Sequence, residues 1–220
     1  MRMAVRSTVL GLVAVFAAGP LLAQVGAPST KKGFSITPYI GITVPTADLL
    51  NYTKQGASAP QITKIPIGFT FGGRLGIGLG NRVGIEGDVG YSPGSLELSD
   101  SGTKVNQDVK TLTGSGRVTF YLIPRTSPLW IAVSGGVGAV RHTFAKGGEA
   151  DLAGVKPSTS VGGVLGASAG IRLGRIIAFN VGVEDYLYNA EFDLSGNAIS
   201  KKKQHDIHVT AGVRVPFLGF

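Results

Sequence analysis

The chain has 220 residues, with 34 Gly, no Cys, 15% charged residues and a formal net charge of +8. Soluble proteins average about 25% charged residues and disordered chains are more polar still, so this composition excludes disorder. The absence of Cys excludes disulfide scaffolds and thiol catalysis, and the glycine content argues against long helices, because Gly in a helix interior costs about 1 kcal/mol relative to Ala.

Residues 1–23 have the features of a secretory signal peptide. Arg2 and Arg6 give the segment a positive start, an apolar run follows over residues 8–18, and Ala23 supplies the small residue before a cleavage site. The alternative is an N-terminal transmembrane anchor, which needs about 20 apolar residues, and this run is shorter. We therefore expect residues 1–23 to be removed from an exported chain.

After a short segment at 24–33, which we expect to lie in the periplasm, apolar residues alternate with small or polar ones. A period of two is the pattern of β-strands. The roughly 10 to 15 residues of these segments exceed the usual 5 or 6 of globular strands and suit tilted membrane-spanning strands, which need about 9 to 11. Eight segments show the pattern: 34–44, 65–79, 83–92, 109–122, 129–144, 159–173, 177–188 and 206–217.

Short and long connections alternate between these segments. The short ones are 80–82, 124–128 and 174–176, and the long ones are 45–64, 93–108, 145–158 and 189–205. Bacterial outer-membrane barrels have this layout, with short periplasmic turns, long outer loops and an even number of strands. The sequence therefore predicts an all-β fold, an eight-stranded antiparallel up-and-down transmembrane β-barrel over residues 34–220.

Alternation alone also fits a soluble, lipocalin-like barrel with its apolar face inside. The positions of the charged residues distinguish the membrane barrel from the soluble one. All eleven Lys and most Asp and Glu residues stand in termini, loops or strand ends, and the polar face is mainly Gly, Ser and Thr. Small residues fit the narrow interior of an eight-stranded barrel but make a poor solubilising surface. We therefore expect the bulky apolar side chains to face lipid.

Aromatic residues stand near both ends of the predicted strands. Membrane interfaces favour such residues, so two belts are expected. The belt at the short-turn end would hold Phe34, Phe120, Trp130, Phe217 and Phe220, and the belt at the long-loop end would hold Tyr91, Phe144, Tyr186 and Tyr188.

The polar face carries few charged residues, and we expect them to form a charge network in the lumen. Counting back from the turn at residue 81 places Arg74 opposite Asp88. An unpaired buried charge is costly, so the network, together with Tyr39, Tyr121 and Asn180, is predicted to plug the lumen. Its cations are Arg74, Arg117, Arg172 and Arg214, and its anions are Glu86, Asp88 and Glu184. The alternative is a narrow channel for small ions or solutes, lined by the same arginines.

A lipid-modifying outer-membrane enzyme is a second alternative, but the sequence contains few residues that would support it. A deacylase-like site needs a His and a Ser two residues apart on one strand face, with an acid nearby, and His142 lacks that pattern. Ionisable residues also cluster at a strand end, within reach of Ser195 or Ser200: His205, Asp206 and His208. We expect no catalytic residues, no cofactor and no metal. Nucleic-acid binding is not expected either, because the positive charge is spread over loops and turns.

Three outward-facing charges need separate explanations. Lys110 and Arg141 fall near the outer ends of adjacent strands, where a charge on the lipid face costs about 0 to 1 kcal/mol. Both are candidates for contact with lipopolysaccharide phosphates, and ordinary rim charges are the alternative. Strict alternation also places Asp185 on the lipid face, so either the span ends before it or a β-bulge shifts the register.

The signal peptide, the eight strands and the terminal run Val213-Arg214-Val215-Pro216-Phe217-Leu218-Gly219-Phe220 together resemble the small outer-membrane β-barrel family, which includes the transmembrane domain of outer membrane protein A. In that family a C-terminal aromatic residue is the signal for the barrel-assembly machinery, and Phe220 matches that position. Pro216 and Gly219 depart from the usual alternation. The resemblance implies an integral outer-membrane protein among lipid and lipopolysaccharide, with a structural or surface-interaction role and loops that could bind an extracellular ligand.

Overall fold

The computed structural model describes residues 33–46, 50–52, 61–64, 67–100, 103–144, 158–174, 176–190, 193–194, 197–198 and 202–219. The predicted signal peptide and Phe220 lie outside these residues. In the described part of the chain no helix is long and apolar enough to cross a membrane.

Eight long strands form the barrel. They are β1 (Gly33–Pro45), β2 (Gly68–Gly78), β3 (Val83–Asp100), β4 (Thr103–Ile123), β5 (Leu129–Phe144), β6 (Ser158–Leu173), β7 (Ile177–Ala190) and β8 (Lys202–Gly219). Two short hairpins also form. Leu50–Tyr52 with Gln61–Lys64 extends the sheet by pairing with the outer end of β3, and Asp193–Leu194 with Asn197–Ala198 forms a separate two-stranded sheet.

Each barrel strand pairs antiparallel with the next along the chain, and β8 pairs with β1. The predicted eight-stranded up-and-down barrel is therefore confirmed, and its wall is closed. The predicted register around residue 81 is confirmed as well, since Ile77 lies opposite Ile85 and Arg74 lies opposite Asp88. At the turn after β6, Gly174 has φ near +78°, a left-handed conformation that glycine adopts at little cost.

The strands β3 and β4 extend well beyond their predicted ends. Their ladder runs without a break from the pair Val83 and Phe120 to the pair Asp100 and Thr103. The prediction of a loop over 93–108 is therefore wrong, because most of that segment is a hairpin. The error has a cause in the sequence: Pro93 and Gly94 are residues typical of turns, although Leu96 and Leu98 beyond them continue the alternation. β7 and β8 likewise pair as far as Ala190 and Lys202, inside the predicted loop 189–205.

The orientation of the two faces agrees with the sequence prediction. Val89 and Leu165 point outward, and each is 59% exposed. The inward positions carry buried small polar residues such as Thr70, Thr113 and Thr210. The apolar surface therefore surrounds the barrel, while its interior is polar.

Some of the aromatic residues lie elsewhere than predicted. Phe120 and Phe217 are exposed on the outer face as expected, but Trp130, Tyr186 and Tyr188 are buried inside the lumen. The reason is strand parity, because Tyr186 and Tyr188 follow Glu184 at intervals of two and share its face. On the outer face Phe34 is partly buried, and Tyr91 packs on Phe71 with ring centroids 5.4 Å apart. The side chains of Phe144 and Phe220 lie outside the described residues.

The conflict at Asp185 is resolved without a β-bulge. The pairing of β7 with both neighbours passes through this residue with no shift of register. Asp185 keeps its outward position, where its carboxylate lies 3.3 Å from Nδ1 of His205 on β8. His205 stands near the outer end of β8, and the pair is partly exposed.

Candidate functional site

A carboxylate at the centre of the lumen joins two arginines from different walls. Glu184 of β7 forms an ion pair with Arg74 of β2 through Oε1 and Nη2. The same Oε1 lies 2.6 Å from Nη1 of Arg117 on β4. The three side chains are at most 6% exposed. Contacts between strands that are not neighbours in the wall must cross the lumen, so these ion pairs bridge it.

Asp88 forms a second centre beside the first. Its Oδ2 lies 3.5 Å from Nε of Arg74. Its Oδ1 accepts hydrogen bonds from the hydroxyl groups of Tyr39 at 3.2 Å and Tyr186 at 3.3 Å. The guanidinium of Arg74 also lies 5.4 Å from the centre of the Tyr39 ring. Strands β1, β2, β3 and β7 are thus tied together around one carboxylate.

Glu86 and Arg214 extend the network toward the short turns. Glu86 lies 3.8 Å from Nη2 of Arg117 and 4.0 Å from Nη1 of Arg214. Arg214 donates hydrogen bonds to the hydroxyl oxygens of Ser35 at 3.1 Å and Tyr121 at 2.9 Å. Three arginines and three carboxylates therefore form one continuous, charge-balanced network. Guanidinium groups suit such contacts, because they present several donors in a fixed plane.

An aromatic pair lies in the lumen on the side of the short turns. The rings of Tyr121 and Trp130 meet edge to face with centroids 5.7 Å apart, and Arg214 lies 5.9 Å from the Trp130 ring. An eight-stranded barrel is just wide enough for its side chains to fill. The charge network and the aromatic pair together line the lumen from its middle toward the short turns.

Arg172 lies beside the short turns, where counting back from the turn at residue 175 places it. Its Nη2 donates a hydrogen bond of 2.7 Å to the backbone carbonyl of Arg125, in the turn between β4 and β5. This described hydrogen bond goes to the backbone of a turn and not to a carboxylate of the predicted network.

The outer half of the lumen holds polar groups that the sequence prediction did not include in the network. Tyr188 donates a hydrogen bond of 2.7 Å to Asp206, and the ring of His208 packs on Tyr186 with centroids 4.8 Å apart. A cavity of about 20 Å³ is lined in part by Asp206, Thr43 and His142. A cavity of this size has room for about one water molecule. Tyr186 and Tyr188 follow Glu184 at intervals of two, so the argument that places Glu184 inside the lumen would also have placed these two residues there.

The cluster of His205, Asp206 and His208 is divided by the barrel wall. Asp206 and His208 are buried inside, whereas His205 is exposed outside, because adjacent residues of a strand point to opposite faces. Ser195 and Ser200 lie outside the described residues. Among the residues that are described, no group of three His, Asp or Glu side chains could hold a metal ion.

Lys110 and Arg141 stand where the sequence placed them. Both are exposed on the outer face. In the ladder between β4 and β5, Lys110 lies opposite Thr143 and Leu112 lies opposite Arg141. The two cations are therefore diagonal neighbours on one face, near the outer end of the barrel.

A closed antiparallel barrel of eight strands, apolar outside and filled by charge pairs inside, has the architecture of the small outer-membrane β-barrels. The chain belongs to the outer membrane protein β-barrel domain family, whose model matches residues 10–214. This family membership makes it a protein of the bacterial outer membrane. No protein in the curated set matches the sequence.

Several solved structures share the fold. OprG from Pseudomonas aeruginosa is 15% identical with a TM-score of 0.62, over 88% of this chain and 99% of that one. AlkL, solved by solid-state NMR in lipid bilayers, is 14% identical with a TM-score of 0.59, over 88% and 94% of the two chains. Neisserial surface protein A is 15% identical with a TM-score of 0.51, over 84% and 97%. At these identities the likeness concerns the fold alone.

Proposed function

We propose that this protein is a structural or surface-interaction component of the outer membrane, with a lumen plugged by its charge network. The observation that carries the proposal is the pairing of Glu184 with both Arg74 and Arg117 across the interior. A permeating ion would have to displace one of these partners, and separating a buried ion pair is costly.

The surface role is supported by the height of the β3–β4 hairpin. An outward apolar band is about 25 Å tall in such barrels, whereas 18 residues of strand, the length of β3, span about 60 Å before tilting. Because the strand is longer than the apolar band is tall, part of the hairpin is expected to extend beyond the bilayer on the side of the long connections. Neisserial surface protein A, which shares the fold, is by its name a surface protein.

Planar-bilayer recording tests the plug. The refolded protein is expected to give no steady conductance, because the charges occupy the lumen in pairs. The double variant Arg74→Ala with Glu184→Ala removes both members of one pair and is expected to conduct. The variant Asp185→Asn, which alters the outward neighbour of Glu184, is the matched control and is expected to remain closed. Large steady conductance of the unaltered protein would refute the proposal.

The narrow channel is the competing function, and the same recordings distinguish it. A channel lined by the arginines would conduct small anions without any substitution. Lipid-modifying activity is not proposed, and overexpression is accordingly expected to leave the lipid A profile unchanged. A new lipid A species that depends on His142 or His208 would bring that activity back into consideration.

We further propose that residues 1–23 are removed on export and that Phe220 guides assembly. Support comes from the charged start and apolar run of the first segment and from the terminal aromatic residue. N-terminal sequencing of the membrane-embedded protein is expected to begin at Gln24. Deletion of Phe220 is expected to lower the amount of folded protein in the outer membrane, whereas Phe220→Tyr should retain it.

A further inference from the structure

The outer half of the lumen contains a carboxylate that does not belong to the charge network. Asp206 of β8 is buried, with 3% of its surface exposed. Its Oδ2 accepts the hydrogen bond of 2.7 Å from Tyr188, whereas its Oδ1 is buried and has no hydrogen-bond partner among the described residues. A buried carboxylate oxygen without a partner is costly, so a further group is expected to meet it.

Among the described side chains of the lumen, none neutralises the charge of Asp206. The charge network is balanced in itself, and the described ion pairs do not include Asp206. His205, the preceding residue, points to the outer face and pairs there with Asp185. His208 packs on the ring of Tyr186, and an ordinary imidazole is mostly uncharged at neutral pH. The described part of the outer lumen therefore carries a negative charge.

The cavity beside Asp206 is lined by oxygen atoms from several strands. Thr43 of β1, Ser92 of β3 and Thr111 of β4 contribute hydroxyl groups, and all three side chains are buried. Oγ1 of Thr43 and Oγ of Ser92 lie 3.2 Å apart and share one hydrogen bond, so lone pairs on these oxygens remain available. The volume of about 20 Å³ admits one particle of the size of a water molecule and excludes an organic ligand.

We infer that this cavity is a binding site for a monovalent metal cation, sodium or potassium, held by the carboxylate of Asp206 and the hydroxyl oxygens of Thr43 and Ser92. Hard cations bind oxygen ligands of these kinds. One positive charge balances the single carboxylate, whereas protein sites for calcium usually supply several carboxylates.

The bound ion would join β1, β3 and β8 in the outer half of the lumen, as Glu184 joins β2, β4 and β7 in its middle. The inference does not depend on whether the lumen conducts, because the site contains no member of the charge network.

Unfolding at constant ionic strength tests the site, because an ion that binds only the folded state stabilises it in a saturable way. The protein, refolded into phosphatidylcholine vesicles at about pH 8, is unfolded with urea and followed by the fluorescence of Trp130, its single tryptophan. Sodium or potassium chloride replaces tetramethylammonium chloride stepwise. The tetramethylammonium ion is too large for the cavity, and histidine is ordinarily uncharged at this pH. The urea midpoint is expected to rise and to saturate.

Two substitutions in the site remove the ligands one at a time. Asp206→Asn keeps the shape of the side chain without its charge and is expected to abolish the dependence on the cation. Thr43→Val removes one hydroxyl oxygen and leaves Asp206 in place, so it tests the site even if Asp206→Asn fails to fold. It is expected to weaken the apparent Kd roughly tenfold, as the loss of one ligand to a charged group implies.

Asp185→Asn is the matched control, because it removes a carboxylate on the outer face of β7, beside β8. Its apparent Kd is expected to stay within about twofold of that of the unaltered protein, since one exposed charge contributes little. Equal losses from Asp206→Asn and Asp185→Asn would overturn the inference, because they would indicate a general effect of charge.

The comparison of the cations gives the second decisive result. A response to sodium, to potassium or to both supports the site and identifies its ion. A urea midpoint that is the same in all three salts overturns the inference, as expected if Asp206 is protonated or if a water molecule fills the cavity.

Discussion

Arg74 and Glu184 form an ion pair across the interior of the barrel, although 110 residues separate them in the chain. Arg74 belongs to the second strand and Glu184 to the seventh, and these strands are not neighbours in the wall. The contact therefore joins two parts of the barrel that share no backbone hydrogen bonds.

Replacing Glu184 by Gln is expected to destabilise the barrel by about 3 to 5 kcal/mol, the cost of breaking a buried ion pair from one side. The substitution leaves both Arg74 and Arg117 without their shared carboxylate. Urea unfolding in lipid vesicles, followed by Trp130 fluorescence, measures the change.

Asp185→Asn is the control for this experiment. Asp185 is adjacent in sequence but lies outside the lumen in a partly exposed pair with His205, and exposed pairs contribute about 0 to 1 kcal/mol. Equal losses from the two substitutions would show that the lumenal network is not a major source of stability.

Removing the hydroxyl of Tyr121 isolates one contact of Arg214. Tyr121→Phe is expected to cost about 1.5 to 3 kcal/mol, because hydrogen bonds to charged groups are worth that much. Tyr91→Phe, on the outer face, should change the stability by no more than about 0.5 kcal/mol. A similar unfolding midpoint for Tyr121→Phe and the unaltered protein would contradict the geometry at Arg214.

Spin labels test which face meets lipid. Because the chain has no Cys, single cysteines can be placed at Val89 and Leu165 outside and at Thr113 inside. Labels at the two outer positions are expected to be relaxed by oxygen, which concentrates in the bilayer, and the inner label should be protected. Water accessibility at Val89 or Leu165 would mean that the barrel is inside out.

A charge on the lipid face should cost more near the middle of the bilayer than at its rim. Leu165 stands at the middle of β6, so Leu165→Arg is expected to destabilise the barrel by about 2 to 4 kcal/mol, whereas Arg141→Leu at the rim should change stability by about 0 to 1 kcal/mol. Unfolding titrations in one lipid compare the two variants directly. Equal effects would contradict the assigned depths.

Lys110 and Arg141 provide a test of contact with lipopolysaccharide. We expect the purified protein to unfold at a higher temperature when lipopolysaccharide is added, because phosphates neutralise two neighbouring cations. The double variant Lys110→Gln with Arg141→Gln should lose most of that increase. Arg82→Gln, at the opposite end, should keep it, and an equal loss there would assign the effect to net charge.

The sequence was sufficient to predict the barrel because the bilayer imposes a strict rule. Each spanning strand must present apolar residues to lipid and fit small residues inside, and this rule produces the alternation seen around Val89 and Leu165. A short turn then fixes the register by simple counting, which is why Arg74 and Asp88 were predicted to lie opposite each other.

The positions of side chains along the barrel axis were harder to predict. Arg172 faces inward and stands near the short turns as expected, but its bond to the carbonyl of Arg125 depends on the direction of a long side chain, which alternation does not give. Trp130 and Tyr188 were assigned to interfacial belts because an aromatic residue near a strand end suits either face. Only the parity of each strand distinguishes the two faces, and for Tyr188 that parity can be read from Glu184.

The unbroken ladder between β3 and β4 has a consequence for binding. In a connection paired as far as Asp100 and Thr103, the backbone groups bond to each other, so this segment keeps less conformational freedom than an unpaired loop of the same length. A partner that binds the paired part of the hairpin would therefore lose less entropy in ordering it than in ordering an unpaired loop.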